Sequence, residues 1–149
     1  MTDDLVRVSV TNVRLAVATS PGVEAGMVTL REESPPHRSL SIVIGQPEAR
    51  AILTAWTGTT PSRPSTWDLL ISAVAALEGR VVRAVITAVE EQRHFFATID
   101  LERDGQQRVL SARPSDAIAL ALRAYGAEMY VADAVMVAVG VLPVSDHSN

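Results

Sequence analysis

The sequence predicts an α+β fold: a mainly antiparallel, bent β-sheet with three main helices packed against it. Three observations carry that expectation. Short runs alternate apolar and polar residues with the period of a half-buried strand, three segments place apolar residues at helical spacing, and turn signals such as Asp104-Gly105 separate the strand-like runs.

Val6, Val8 and Val10 alternate with Arg7, Ser9 and Thr11, and after Asn12 the apolar phase moves to Val13, Leu15 and Val17. A phase change inside one strand predicts a bulge or bend near Thr11-Asn12. A loop from Ser20 to Gly26 leads to a second strand around Met27 to Glu32, and Ser34-Pro35-Pro36-His37 turns the chain toward Leu40, Ile42 and Ile44. Gly45-Gln46-Pro47-Glu48 opens a helix, since proline suits the first turn and an acidic residue there offsets the helix dipole. Ala49, Ile52, Leu53 and Trp56 form its apolar stripe, and Gly58 ends it.

Ser65 with Asp68 makes a capping-box-like S-x-x-D ahead of a second helix, whose predicted buried stripe is Leu70, Ala73, Val74 and Leu77. Three strand-like runs follow, Val81 to Val89, Phe95 to Leu101 and Gln107 to Ser111. The third helix starts at Pro114 and runs to Ala124; Ala117 to Leu122 are apolar all round, which predicts burial. A short strand, Glu128 to Val131, leads to Asp133, read as the cap of a last short helix. No linker divides the chain, so 1–149 is read as one domain with a core of about 5–142 and a polar tail, 143–149.

The 149 residues are 48% hydrophobic and 20% charged, which is globular composition. The formal charge of −4 argues against holding nucleic acid by bulk attraction. All 13 basic residues are arginine, for which a high-GC coding bias is the first explanation and a preference for bidentate phosphate contacts the alternative. The chain has no cysteine, which removes thiolate metal sites and cysteine nucleophiles. Met1-Thr2-Asp3-Asp4 is acidic where a signal peptide is basic, and Val131 to Val144 is shorter than a membrane span, so the expectation is a cytoplasmic protein without a membrane partner.

Phosphate-cradling glycine loops, H-E-x-x-H and G-x-S-x-G are all missing, and His37, His94 and His147 have no metal-ligand spacing to one another. What remains is a carboxylate near each of three helix starts, Glu48, Asp68 and Asp116, with Arg50, Arg63 and Arg113 nearby in sequence. Acidic residues there offset the helix dipole by ~0.3–1 kcal/mol without any further role. If the fold brings two of them together, they are candidate oxygen ligands for a divalent cation such as Mg²⁺, which activates water against a phosphodiester while an arginine steadies the phosphate. Arg113-Pro114-Ser115-Asp116-Ala117 is the most distinctive stretch: Ser115 is a candidate for the early helix N–H groups, a role that does not account for Arg113.

Arg113-Pro114-Ser115-Asp116-Ala117-Ile118-Ala119-Leu120-Ala121-Leu122-Arg123, followed by Met129-Tyr130-Val131-Ala132-Asp133, resembles the hallmark segment of the bifunctional nuclease family. Ile42-Val43-Ile44-Gly45-Gln46-Pro47-Glu48-Ala49-Arg50-Ala51-Ile52 and Arg63-Pro64-Ser65-Thr66-Trp67-Asp68-Leu69-Leu70 agree with it in order and spacing. The resemblance covers roughly Val6 to Met136 and implies an α+β fold, assembly as a homodimer, and degradation of both DNA and RNA. One departure stands out: the family pattern T-H-D-L-L has histidine where this chain has Trp67, which can act neither as a base nor as a metal ligand.

Two readings follow. In the first, the chain is a nuclease with Asp116, Asp68 and Glu48 as catalytic or metal-ligating groups and Arg113, Arg63 and Ser115 contacting phosphate or substrate. In the second, it is a non-catalytic homodimeric binding or regulatory module in which the same residues form caps and salt bridges. Shared access of the three carboxylates to one open cleft favours the first.

Overall fold

The computed structural model describes residues 4–145. The expectations for Met1 to Asp3, His147 and the last four residues of the tail lie outside the described residues. The elements run β1 (Leu5–Ser20), β2 (Val23–Glu32), β3 (Ser39–Ile44), α1 (Gln46–Trp56), α2 (Thr66–Ala76), β4 (Arg80–Glu90), β5 (His94–Arg103), β6 (Gln106–Ala112), α3 (Pro114–Arg123), β7 (Glu128–Ala132) and α4 (Asp133–Val139).

All seven strands form one sheet in the order β3-β2-β1-β7-β4-β5-β6. It consists of two antiparallel meanders, β1-β2-β3 and β4-β5-β6, with β7 inserted between them, antiparallel to β1 and parallel to β4. The sheet is therefore mixed, antiparallel everywhere except at the β4–β7 pair, and the described residues hold the three main helices and the short last one, α4.

The phase change in β1 is a bulge: the register with β2 shifts between Val10 and Asn12, and the inward positions change from even to odd numbers there. Ser20 to Gly26 is not a loop. The two strands stay paired to Ser20 and Val23, leaving Pro21 and Gly22 as the turn. The D-G signal closes the β5–β6 hairpin, with Asp104 at φ 49° and Gly105 at φ 74°, as a type I′ turn requires.

Each meander delivers the chain to a helix that packs back onto the sheet: α1 lies against β1 and β2, α3 against β4 and β5, and the two helices touch each other. Gly26 lets α1 approach, because a Cβ at that position would overlap the Cβ of Ala49. The common core holds Leu30, Leu40, Ile52, Ile86, Ile118 and Met136, all essentially fully buried. Burying each such side chain contributes roughly 1.5–3 kcal/mol. As its composition predicts, α3 buries Ala117 to Ala121 on all sides.

The second helix departs from expectation. No residue of α2 is fully buried; Leu70 and Leu77 are 47% and 68% exposed, while Trp67, Ile71 and Val74 are the half-buried, inward-facing residues. Apolar residues occupy nearly every position of T-W-D-L-L-I-S-A-V-A-A, so the pattern leaves the helix phase open. α1 is also turned slightly from its predicted stripe, burying Ala49, Ala51 and Ile52 and leaving Trp56 exposed.

Asp133 is not a cap but the first residue of α4, following Ala132. Its carboxylate accepts from Arg38 at 2.7 Å, and Arg38 in turn donates through its main-chain N, Nε and Nη2 to the buried Glu32 at 2.7, 2.9 and 2.6 Å. This cluster ties the β2–β3 connection to the start of α4. Among the described residues, no helix is long and apolar enough to cross a membrane.

Candidate active site

Glu48, Asp68 and Asp116 occupy the same local position, the third residue of α1, α2 and α3 respectively. What precedes each one decides where its carboxylate goes. α2 has Ser65 at its N-cap, and the two side chains close a capping box: Asp68 N donates to Ser65 Oγ at 3.2 Å and Ser65 N donates to Asp68 Oδ2 at 2.7 Å. The remaining oxygen of Asp68 accepts from Arg123 Nε at 2.9 Å. α1 and α3 have Gly45 and Arg113 at their N-caps, neither of which makes a side-chain cap hydrogen bond. Their third-position carboxylates are left for tertiary contacts.

Those two carboxylates meet on one guanidinium. Arg113 donates from Nε to Asp116 Oδ2 at 2.8 Å and from Nη2 to Asp116 Oδ1 at 3.2 Å, and the same Nη2 donates to Glu48 Oε1 at 3.3 Å. Asp116 Oδ1 also accepts from the indole Nε1 of Trp67 at 3.0 Å. Asp116, and behind it Glu48, raise the pKa of the Arg113 guanidinium above its ordinary value, so it acts as a fixed positive charge. The Arg113 side chain is 63% exposed, so this cluster sits at the surface rather than in the core.

Gly45 has a specific part in the arrangement. A Cβ there would collide with Oε2 of Glu48, whose side chain folds back over the glycine. Gly45 has φ −66°, open to any residue, so the glycine serves the side chain and not the backbone.

The cluster forms the polar mouth of a cleft of about 540 Å³ between α2 and the sheet. Trp67, Ile71 and Val74 line one wall and Val81, Ile99 and Leu110 the other. Glu48, Arg113 and Asp116 all reach this space. Asp68 faces a different hollow, shared with Arg123 and Pro64.

The sequence candidates therefore separate. Glu48, Asp116 and Arg113 converge; Asp68 does not join them. Arg63 is exposed on the loop ahead of α2 and does not line the cleft. Ser115 is 5% exposed, makes no cap hydrogen bond, and borders another hollow beside Phe95 and Phe96. Trp67, Gly45 and the apolar cleft wall were not singled out as site residues by sequence reasoning. The identity of the N-cap residue was the available signal, because a serine cap engages the third-position carboxylate and a glycine or arginine cap does not.

Among the described residues, no group of three His, Asp or Glu side chains converges as a metal site. Glu48 and Asp116 supply two hard oxygen donors at one cleft mouth, a donor set that suits Mg²⁺, which is commonly held by one or two carboxylates together with substrate phosphates.

An α+β fold thus gathers two helix-borne carboxylates on one arginine beside a cleft. The chain belongs to the bifunctional nuclease domain family, whose model matches residues 28–143. That stretch begins within β2 and contains every residue of the cluster. The chain is also 38% identical over 122 residues to two uncharacterized proteins of Mycobacterium tuberculosis, one from each of two strains; the alignment covers 82% of this chain and 71% of each relative.

Proposed function

We propose that this protein hydrolyses phosphodiester bonds of DNA and RNA at the mouth of the α2 cleft. The observation that supports the reading best is the convergence of Glu48 and Asp116 on Arg113 beside an open cleft. A guanidinium suits a phosphate, and Nη1 of Arg113, which makes none of the bonds to Asp116 and Glu48, is the donor left for it. Asp116 or Glu48 then orients the attacking water and accepts its proton, a contribution of ~10²–10⁴-fold when the base is well placed. Trp67 can donate a hydrogen bond but not take up a proton, so in this chain it holds Asp116 and performs no acid–base step. A divalent cation such as Mg²⁺, held by Glu48 and Asp116, would supply water activation and charge neutralisation.

The test separates the converged carboxylates from the capping one. Single-stranded RNA and DNA are incubated with purified wild type, Glu48→Gln and Asp68→Asn. The proposal expects cleavage by the wild type and by Asp68→Asn, with at least a hundredfold loss in Glu48→Gln. Equal rates in all three would remove Glu48 from the chemistry.

A second reading, a non-catalytic homodimeric module, draws on the apolar surface outside the cleft. Leu69 on α2, Leu77 at its C-cap and Val109 on β6 are 65%, 68% and 62% exposed, and β6 is an edge strand exposed along nearly all its length. Exposed apolar patches and free strand edges mark association surfaces. A stable dimer that cleaves neither substrate with Mg²⁺ or Mn²⁺ would favour this reading over the first.

A further inference from the structure

Two properties of the chain pull against each other. It belongs to a nuclease family, yet it carries 17 acidic and 13 basic residues, and its cleft mouth sets two carboxylates around a single guanidinium. Proteins that hold nucleic acid through the phosphate backbone draw affinity from many Lys and Arg contacts and the counterions these release. This mouth offers one such contact. Without a bound cation, affinity for a strand has to come largely from an uncharged part of the nucleotide.

The cleft behind the mouth has the matching character. Its floor is sheet surface, in which Val81 pairs with Leu101 across β4–β5 and Ile99 with Leu110 across β5–β6. Ile71 and Val74 of α2 form the roof. The volume of about 540 Å³ falls within the ~300–1,000 Å³ typical of small-molecule pockets, which are apolar with a few polar groups at the edge. Here the polar edge is the cluster of Glu48, Arg113 and Asp116. The Trp67 indole stands at the mouth with its Nε1 fixed on Asp116. Trp67 lines this apolar space, and a cleft walled partly by an aromatic ring suits a nucleobase, which stacks on aromatic rings whatever its identity.

We infer that the cleft seats one unpaired nucleobase of a single-stranded DNA or RNA, with that nucleotide's phosphate at Arg113. The inference rests on the hydrolytic reading and names the form of its substrate. A base inside a duplex cannot enter unless it is first flipped out of the stack, so the cleft selects single strands. Because one phosphate is contacted, binding depends only weakly on salt.

The experiment is a fluorescence titration, in EDTA, of a short single strand carrying one fluorescent adenine analogue. It is repeated with the matching duplex, with competition by a strand of abasic sites, and over a range of salt. The expected result is saturable binding of the single strand, with at least tenfold weaker binding of the duplex and tenfold weaker competition by the abasic strand. The slope of log affinity against log salt is expected near −0.7, the value for one phosphate contact on a single strand. Val74→Arg and Leu110→Arg, on opposite walls, each weaken binding at least tenfold; Leu110 is half exposed, so its variant folds even if the other does not. Equal competition by the abasic strand, or unchanged binding by both variants, overturns the inference. Cleavage is read separately. Base-dependent binding without cleavage keeps the cleft and removes hydrolysis, whereas equal cleavage of single-stranded, duplex and abasic substrates does the reverse.

Discussion

The indole Nε1 of Trp67 donates to Oδ1 of Asp116 at 3.0 Å, from one helix start to another, while Arg113 grips the same carboxylate through Nε and Nη2. Asp116 thus accepts three hydrogen bonds that fix its orientation at the cleft mouth. Trp67 stands where the family pattern has histidine, and a histidine ring N–H can make the same donation. Both residues offer a ring N–H, and in this chain the indole can hold the carboxylate but cannot take up a proton.

Two substitutions of Trp67 are expected to differ in outcome. Trp67→His retains a donor and keeps cleavage. Trp67→Phe keeps an aromatic ring, though a smaller one, and removes the donor, and the rate falls roughly tenfold, as expected for losing a hydrogen bond to a charged group. Rates are compared on proteins whose circular dichroism matches the wild type. A Trp67→Phe enzyme at full rate would show that the bond does not position Asp116.

Gly45→Ala tests the fold-back of Glu48. The backbone at φ −66° accepts alanine, and the Cβ meets only the far end of a flexible side chain. The variant keeps a melting temperature within a few degrees of wild type, as for a substitution of ~0.5 kcal/mol or less. Cleavage falls because the Glu48 carboxylate leaves Arg113. Unchanged cleavage would mean that Glu48 can serve from another rotamer.

Asp68 has the opposite signature. Ser65, through its main-chain N–H and then its hydroxyl, and after it Arg123, hold the Asp68 carboxyl below the ordinary carboxylate range. A folded-state pKa lowered in this way contributes stability above the unfolded value of about 3.9, and the contribution is lost as pH falls through the folded value. Asp68→Ala therefore lowers stability at pH 7 by roughly 1–2 kcal/mol, in the range of lost helix caps, and the difference from wild type shrinks toward acid pH. Denaturant titrations at pH 7 and below pH 3 measure this. Cleavage per folded molecule stays unchanged.

Glu32→Gln is the larger structural lesion. Glu32 is 4% exposed and takes three donors from Arg38, which draws its pKa down. Removing one partner of a buried pair costs about 3–5 kcal/mol. The expected loss is at the low end, because Arg38 keeps its bond to Asp133. A loss below ~1 kcal/mol by urea unfolding would show that the pair adds little beyond what glutamine supplies.

Local patterns in this chain reported local structure well. The alternation of Val6 to Val10 and its phase change at Asn12 mark the β1 bulge, Ser65 with Asp68 marks a true capping box, and the uniform apolarity of Ala117 to Leu122 marks a buried helix. Three features escaped for physical reasons. The parallel β4–β7 pair joins segments separated by two strands and a helix, and no local periodicity encodes a strand's partner. α2 has apolar residues on several sides, so apolarity alone did not separate its inward stripe of Trp67, Ile71 and Val74 from Leu70, Ala73 and Leu77. The candidate site was half legible. The three carboxylates looked equivalent because they share a position in the helix; only the residue capping each one separates Asp68 from Glu48 and Asp116.

The central claim is that Asp116, held by Arg113 and Trp67, serves phosphodiester hydrolysis. The most direct measurement is cleavage of single-stranded RNA and DNA with Mg²⁺, Mn²⁺ or EDTA, by wild type and by Asp116→Asn purified identically. Asparagine keeps the shape and can still accept from Trp67, so the fold is preserved while the carboxylate charge is lost. The account predicts metal-dependent cleavage by the wild type and a loss of at least a hundredfold in Asp116→Asn. Equal cleavage by the two proteins, or none by either, would contradict it.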